Sequence, residues 1–310
     1  MPVEIRAIRD DDVPAWVELR NAIDPRMATL PAWVDQRRRI EPTLLLVIAH
    51  DGPDVVGVGA ADEPSERRGL DVGWMWFGVE ESRRREGIGA ALRQELSQHL
   101  RGLGKTSTHT SAWSDDLATV SFLCGRGFVE DGRFDFVRLD LEAYEPQPVE
   151  PPNTVSVVPL AGQTGFEQEM YTVHCEALAD LPSSDELTPE YDAFYAWEIA
   201  HPARSHDFSF LALHDGHVIG YATLGAVPGS NDATNVMTAV KREWRRRGVA
   251  AALKAEQLAA AKRAGFSGIV TLNEVKNEPM RKLNAKLGYV PQPAQLLMRG
   301  PLDREPSGVE

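Results

Sequence analysis

The sequence predicts an α/β protein of the α+β type, built as two tandem units, each a mixed, mostly antiparallel sheet flanked by helices. Three observations carry this. A proline-rich stretch, EPQPVEPPN at 145–153, divides the 310 residues near their middle. Proline fixes φ and restrains its predecessor, so this stretch reads as an extended linker. The same order of strand and helix patterns runs on both sides of it. One eight-residue pattern, REGIGAAL at 85–92, returns as RRGVAAAL at 246–253, 161 positions later.

Each unit opens with a short strand, VEIRAI near Val3 and VSVVPL near Val155. Loop-rich helical segments follow, then a hairpin. Its turns hold Asp51-Gly52 and Asp215-Gly216 between apolar runs, a strong hairpin signal. A further strand ends at Val79 or Val240, and the repeated motif then opens an amphipathic helix, AALRQELSQHL or AALKAEQLAAAKRAG. A strand (THTSAW, GIVTLN) and a short helix ending in Gly127-Phe128 or Gly288-Tyr289 come next. FDFVRLDL and AQLLMRG are read as the strands that close each unit. The pairs Val79/Val240, Arg84/Arg245, Gly87/Gly248 and Gly127/Gly288 keep one offset, which indicates a duplicated domain. The expected boundaries are 1–144, the linker 145–153, 154–300, and a polar, frayed tail at 301–310. The alternating Trp74 and Trp76 read as core.

Composition narrows the function. A net charge of −13 argues against nucleic acid as a partner. No apolar run approaches the ~20 residues of a membrane span, and the N-terminus lacks the pattern of a secretory signal. Cys124 and Cys175 are too few for a disulfide framework and lack metal-ligand spacing. The expectation is a soluble, cytoplasmic, metal-free monomer or homodimer.

Each motif stands where a strand ends and a helix begins. The first turn of a helix carries unpaired N–H groups and a partial positive charge. Gly87 and Gly89, or Gly248 and Ala250, leave those groups open to a phosphate or pyrophosphate. A dinucleotide site of the G-x-G-x-x-G type is disfavoured, because position 92 is Leu and no parallel βαβ repeat surrounds the motif.

The pattern V-x4-R-R-x-G-[IV]-[GA]-A-A-L resembles the acyl-CoA motif of the GNAT superfamily of N-acetyltransferases, with RREGIG at 84–89 and RRRGVA at 245–250. TLNEVKNEPMRKLNAKLGY at 271–289 resembles the family's strand, Asn-bearing helix and Gly-aromatic ending. Two such domains in one chain are also similar to the architecture of mycothiol synthases, without implying their substrate. The resemblance implies two GNAT-like domains that use acetyl-CoA or a related acyl-CoA. In the first, Val79, Arg84, Arg85, Gly87, Ile88, Gly89 and Ala90 would hold the coenzyme. In the second, Val240, Arg245, Arg246, Arg247, Gly248, Val249, Ala250 and Ala251 would, joined by the helix-start Asn277. A primary amine would attack the thioester directly, so positioning and carbonyl polarisation would supply much of the rate.

Two departures stand out. Where many members carry a Tyr that reprotonates the leaving thiolate, this chain has Leu123 and Asn284. The counterpart of Asn277 is Asp116, whose charge would repel phosphates. The second unit is therefore favoured as catalytic. Its early segment holds Glu176, Asp180, Asp185, Glu186, Glu190, Asp192 and Glu198 without a base, and no Lys or Arg occurs from 139 to 203. This acidic wall would attract a cationic amine. The matching 20–39 segment has five Arg against two Asp and would repel one. Candidates for the general base are Asp232, Glu274 and His174. Cys175 has no His/Asn framework for a nucleophile.

The expectation is thus an N-acetyltransferase acting on a small cationic metabolite or an amine-bearing antibiotic. The alternatives are a non-catalytic acyl-CoA-binding or regulatory protein, or a protein N-acetyltransferase.

Overall fold

The computed structural model describes residues 3–64, 69–180 and 190–303. In chain order the first half runs β1 (Glu4–Ala7), α1 (Val13–Ile23), α2 (Pro31–Ile40), β2 (Leu45–Asp51), β3 (Asp54–Asp62), β4 (Val72–Val79), α3 (Ile88–Gly102), β5 (Ser107–Trp113), α4 (Leu117–Cys124) and β6 (Val129–Asp140). The second runs β7 (Val155–Pro159), α5 (Glu167–Ala179), α6 (Tyr191–Phe194), β8 (Arg204–His214), β9 (His217–Ala226), β10 (Asp232–Val240), α7 (Val249–Arg263), β11 (Gly268–Glu274), α8 (Glu278–Leu287), β12 (Val290–Pro291) and β13 (Gln295–Pro301). Residues 145–153 form no helix or strand.

Two compact units result, but they do not follow chain order. One is Met1–Arg133 with Gln295–Glu310, the other Phe134–Ala294. The strands expected to close each unit are exchanged. β13 pairs with β5, from Gln295↔Trp113 to Pro301↔Ser107, and residues 134–140 of β6 pair with β11. The expected boundaries at 144 and 154–300 therefore do not match the compact units. Both closing strands read alike, and nothing local in either specifies its partner. The start of the expected tail is also anchored: Leu302 is buried in the first unit's core, and Asp303 pairs with Arg93 and donates its N–H to Ser97 Oγ at 3.1 Å.

Within the first unit the sheet order is β1-β2-β3-β4-β5-β13, and within the second β6-β11-β10-β9-β8-β7. The pairs are antiparallel except β4–β5 and β10–β11. Successive strand residues face opposite sides, so each sheet feeds two cores. In the first unit Val47 and Ala49 face α3, while Leu46 and Ile48 face α1 and α2. Ile88, Leu92, Leu96 and Leu100 fall four apart on α3 and form one buried stripe. The strands make room for it with glycine: a Cβ on Gly57 or Gly59 would lie 3.0 Å from Leu92 or Leu96. Among the described residues no helix is long and apolar enough to cross a membrane.

Candidate active sites

Both repeated loops take the same backbone path. Arg85 and Arg246 sit at φ 73° and 60°, in the left-handed region that side chains rarely adopt. Gly87 and Gly248 follow at φ 89° and 91° and cap α3 and α7. A Cβ on either would meet nothing within 4 Å, so the backbone angle and not crowding demands glycine there. Such a curl turns successive N–H groups inward, as anion-binding nests do. Among the described residues the amides of Arg85, Glu86, Gly87, Ile88 and Gly89 meet no backbone acceptor, nor do those of Arg246, Arg247, Gly248, Val249 and Ala250. Each loop is tied to its strand by one arginine. Arg84 Nε donates to the Val79 carbonyl at 3.4 Å, and Arg245 Nε to that of Val240 at 2.9 Å. Free amides at a helix N-terminus fit a pyrophosphate.

Beyond each loop lies a gap between two strands. β4 and β5 run parallel for three pairs, ending at Trp74↔His109, and β10 and β11 for three, ending at Thr234↔Val270. In the first unit the gap is part of a cleft of about 720 Å³ lined by Trp76, Phe77, Val79, the loop, Thr110 to Trp113, and Phe122 and Leu123 of α4. Trp74 and Trp76 are half-buried, and Trp76 packs against the core beneath α1 and α2 while also lining the cleft. The buried residue of that stretch is Met75, and Trp76 faces the cleft under the Arg20 guanidinium, 4.5 Å from its ring centroid. Asp24 and Asp115 beside this cleft are engaged internally. Trp113 Nε1 donates to Asp24 at 2.9 Å, and Arg26 pairs with Asp115 at 2.6 Å. Asp116 caps α4, accepting from the Thr119 N–H and hydroxyl.

The second unit differs at the gap. The β10–β9 ladder slips between Asn235 and Met237, leaving Val236 bulged, whereas the β4–β3 ladder is regular. Bulges are frequent beside active sites because they re-aim side chains. Here the bulge shifts the upstream residues by one, so Asn235 takes the place of the buried Met75. Its side chain anchors a buried polar network: Lys254 Nζ donates to Asn235 Oδ1 at 3.0 Å, and Asn235 Nδ2 to Gln257 Oε1 at 2.9 Å. Thr271 Oγ1 donates to the Asn235 carbonyl at 2.9 Å, just past the last backbone pair. Asn284 Nδ2 donates to Asn273 Oδ1 at 3.2 Å. The sequence reading passes over Asn235, Lys254, Gln257 and Asn273. The signal was faint: asparagines inside two strands, where they are depleted, and two polar residues three apart on an alanine-rich helix.

The other expected site residues divide. Asn284 is 2% exposed, and its helix packs it against Asn273 in the gap. Glu274 ends β11, and its carbonyl accepts the Asn277 N–H at 2.8 Å. Asn277 itself caps α8 through its side chain, which accepts from the Met280 N–H at 3.4 Å. Asp232 lies at the opposite, paired end of the strand. Two hydrogen bonds from Arg138, at 2.7 and 2.8 Å, and one from Ser267 occupy it. The Arg138 bonds hold its pKa below the usual range, so Asp232 is an ion-pair partner and a poor base.

His174 sits on α5, in a core separate from that of α7. It is buried, its Nδ1 lies 2.7 Å from the Tyr221 hydroxyl, and burial lowers its pKa, which keeps the ring neutral. Phe194 lies against it at 5.0 Å, and Tyr171, Tyr191 and the exposed Tyr195 extend the ring cluster outward, with Tyr171 and Tyr191 edge-to-face at 5.3 Å. Residues Tyr195–Ile199 form a π-helical turn, a form frequent at functional sites.

The acidic wall is largely spent within the unit. Asp180 pairs with Arg242 and Arg245, both at 2.6 Å, and Glu176 accepts the Arg242 N–H. Glu198 is buried and accepts the Thr223 hydroxyl at 2.6 Å. Asp185 and Glu186 lie outside the described residues. In the first unit Arg20, Arg26, Arg37 and Arg38 are likewise engaged, with Trp76, Asp115, Glu41 and Asp10. The contrast in charge that sequence suggests is mostly cancelled by pairing within each unit. Among the described residues no group of three or more His, Cys, Asp or Glu is arranged to hold a metal.

Residues 170–289 match the model of the Acetyltransferase (GNAT) family. The chain superposes on a tandem GNAT protein from the clavulanic acid biosynthesis pathway with a TM-score of 0.77 at 20% identity, covering 98% of this chain and 100% of that one. A GCN5-related N-acetyltransferase from Sphaerobacter thermophilus gives 0.69 at 17% identity, over 97% and 96%. A putative acetyltransferase from Pyrococcus horikoshii gives 0.58 at 16%, over 97% and 90%. No curated protein matches the chain. The fold is that of tandem two-domain GNAT proteins, and the segment 170–289 carries the family match. The chain comprises two GNAT-like domains, each with a mixed, largely antiparallel sheet flanked by helices.

Proposed function

We propose that this chain is an acyl-CoA-dependent N-acyltransferase whose second unit is catalytic and whose first unit binds coenzyme without chemistry. One observation carries the reading: in each unit a nest of free amides opens directly onto a gap between diverging parallel strands. The amides of 246–250 would hold the pyrophosphate, and the strand edges beyond Thr234↔Val270 would align the arm beside them. Acyl-CoA, when bound, supplies the thioester carbonyl. The bulge at Val236 and the amides of Asn273 and Asn284 favour the second unit as the reacting one, since the first has Leu123 and an apolar wall there.

The acceptor would be a small cationic primary amine. The rings of Tyr171, Tyr191 and Tyr195 support this, because aromatic faces attract ammonium groups. The neutral His174, backed by the Tyr221 hydroxyl, is the better base candidate for removing the amine's proton. A thiol's ordinary pKa of about 8.5 makes a thiolate a tolerable leaving group, so transfer does not require the missing Tyr.

Thiol release from acyl-CoA over a panel of amines tests the reading, alongside titration of CoA binding. A glutamate at the second helical position suits the helix but repels phosphate. Ala250→Glu should reduce turnover by at least about 100-fold, and Gly89→Glu should instead remove one equivalent of bound CoA with a far smaller loss. Position 89 has room, since a Cβ there meets only Val79 Cγ2 at 3.5 Å. CoA binding without turnover on any amine would leave a binding protein. Loss of turnover in Gly89→Glu alone would move catalysis to the first unit.

A further inference from the structure

The buried network of the second unit is incomplete. Lys254 is 1% exposed, and burial alone drives its pKa down, with no acid offsetting that penalty. Gln257 Nε2 and Asn273 Nδ2 are buried donors without an acceptor. Their amide oxygens are already held by Asn235 and Asn284, so two donors remain, beside one buried acceptor, Asn284 Oδ1. A buried amine with no counter-ion and two unfilled amide donors are costly inside a protein unless an acceptor meets them.

The first unit shows what is missing. Arg93 takes the position of Lys254 at the same offset of 161. Its guanidinium lies 5.4 Å over the Phe128 ring, as Lys254 Nζ lies 5.4 Å over that of Tyr289. Arg93, however, has a carboxylate from its own chain, Asp303. Around it the places of Asn235, Gln257, Asn273 and Asn284 are taken by Met75, Leu96, Ala112 and Leu123, all apolar and buried. The first unit thus supplies its own anion, and the second supplies an amine and two free amide donors with no anion of its own.

Resting on the acyltransferase reading, we infer that the closed end of the β10/β11 gap is a carboxylate site, and that the acyl group used by the second unit ends in a carboxylate, as in malonyl, succinyl or glutaryl thioesters. Its position suits this. From Val240 at the loop to Asn235 the strand advances five residues, roughly 17 Å at the usual rise. A donor anchored at the loop and extended along the gap therefore ends at Asn235. During transfer the amine nitrogen forms the C–N bond at the thioester carbonyl. The C–S bond breaks and sulfur leaves with its electron pair. The amine's proton passes to the base or the thiolate. The distal carboxylate stays on Lys254 unchanged.

The test is calorimetric titration of the full chain with CoA, acetyl-CoA and succinyl-CoA. The chain carries Gly89→Glu, so that only the second loop binds. Succinyl-CoA should bind about tenfold more tightly than acetyl-CoA or better. Lys254→Met should bring that ratio to about one, and Gln257→Leu should lower it by about threefold, with the affinity for CoA itself reporting that the unit still folds. Equal binding of acetyl-CoA and succinyl-CoA, as expected if the donors merely hold buried water, overturns the carboxylate site alone. A ratio that survives both substitutions does the same. Failure of all three ligands to bind overturns the acyltransferase reading and this inference with it.

Discussion

The two units share a backbone and differ in what fills it. Loop torsions, the arginine tie to the strand end, the three-pair parallel ladder and the 15-residue helix after the loop recur in both. Between helix and strand gap, the first unit packs leucine and methionine where the second packs asparagine and glutamine. Duplication therefore preserved the loop and strand ends and let the interior diverge. Fold and site chemistry are separable here: the loop depends on backbone torsions, and the gap's lining only on a handful of side chains.

Exchanging the linings should break the symmetry most sharply. Leu96 is fully buried against a Gly59 that leaves no slack. Leu96→Gln would bury an amide with no network to receive it, for an expected loss of about 3–5 kcal/mol in urea unfolding. The reciprocal Gln257→Leu removes an unpaired donor, so it should change stability by less than about 1 kcal/mol. Similar losses in both would mean that the second unit's network is complete in ways its hydrogen bonds do not show.

Next in size is Lys254→Met. Burial holds Lys254 at about 7, well below 10.5, so between these values the unfolded chain binds a proton that the folded chain does not. Wild-type stability should rise with pH across this window, and the cost of the buried amine is fully present only below about pH 7. Linkage puts that cost near 4–5 kcal/mol, reduced by the lost bond to Asn235, so a net gain of about 2 kcal/mol is expected for Lys254→Met at pH 7. Melts from pH 7 to 10 should show the gain shrinking. A gain that stays constant would mean the amine is not the source.

These two cases mark what the sequence could and could not reveal. Strand and helix order, the hairpin turns and both loops are local patterns, and they were legible because periodicity and Asp-Gly or Gly-x-Gly spacing act within a few residues. The exchange of β6 and β13 was not, because two closing strands with similar alternation offer no local cue to their partners. The acidic wall misled for a related reason: composition counts charges but not the arginines that Asp180 and Glu176 meet on folding. Nothing local in the sequence marks Lys254 as buried. Only the packing of nearly every face of α7 shows it to be buried.

A smaller effect separates structure from chemistry at Asp232. It pairs with Arg138 across Gly268, whose missing Cβ leaves the guanidinium its path. Asp232→Asn should cost about 1 kcal/mol, discounted for partial exposure, and leave the pH profile of turnover in place. The pair's contribution is present above the ordinary carboxylate pKa and is lost as pH falls through the depressed folded value, so the stability gap between wild type and variant should narrow only below about pH 4. A lost acidic limb in the rate profile, where a general base titrates, would restore Asp232 as the base.

The smallest predicted effect decides between two meanings of one residue. Asn277 resembles a coenzyme contact in sequence, yet its side chain accepts the Met280 N–H, as Asp116 accepts that of Thr119. The two are equivalent caps, and removing a cap costs typically about 1 kcal/mol. The Asp116 bond is shorter, 3.0 Å against 3.4 Å, and its charge favours the helix N-terminus, so Asp116→Ala should cost more than Asn277→Ala. If capping is all that Asn277 does, Asn277→Ser keeps the cap and should leave CoA affinity within about twofold of wild type. A drop beyond about tenfold in Asn277→Ser, with thermal stability retained, would show that the amide nitrogen, which a serine cannot replace, reaches the coenzyme.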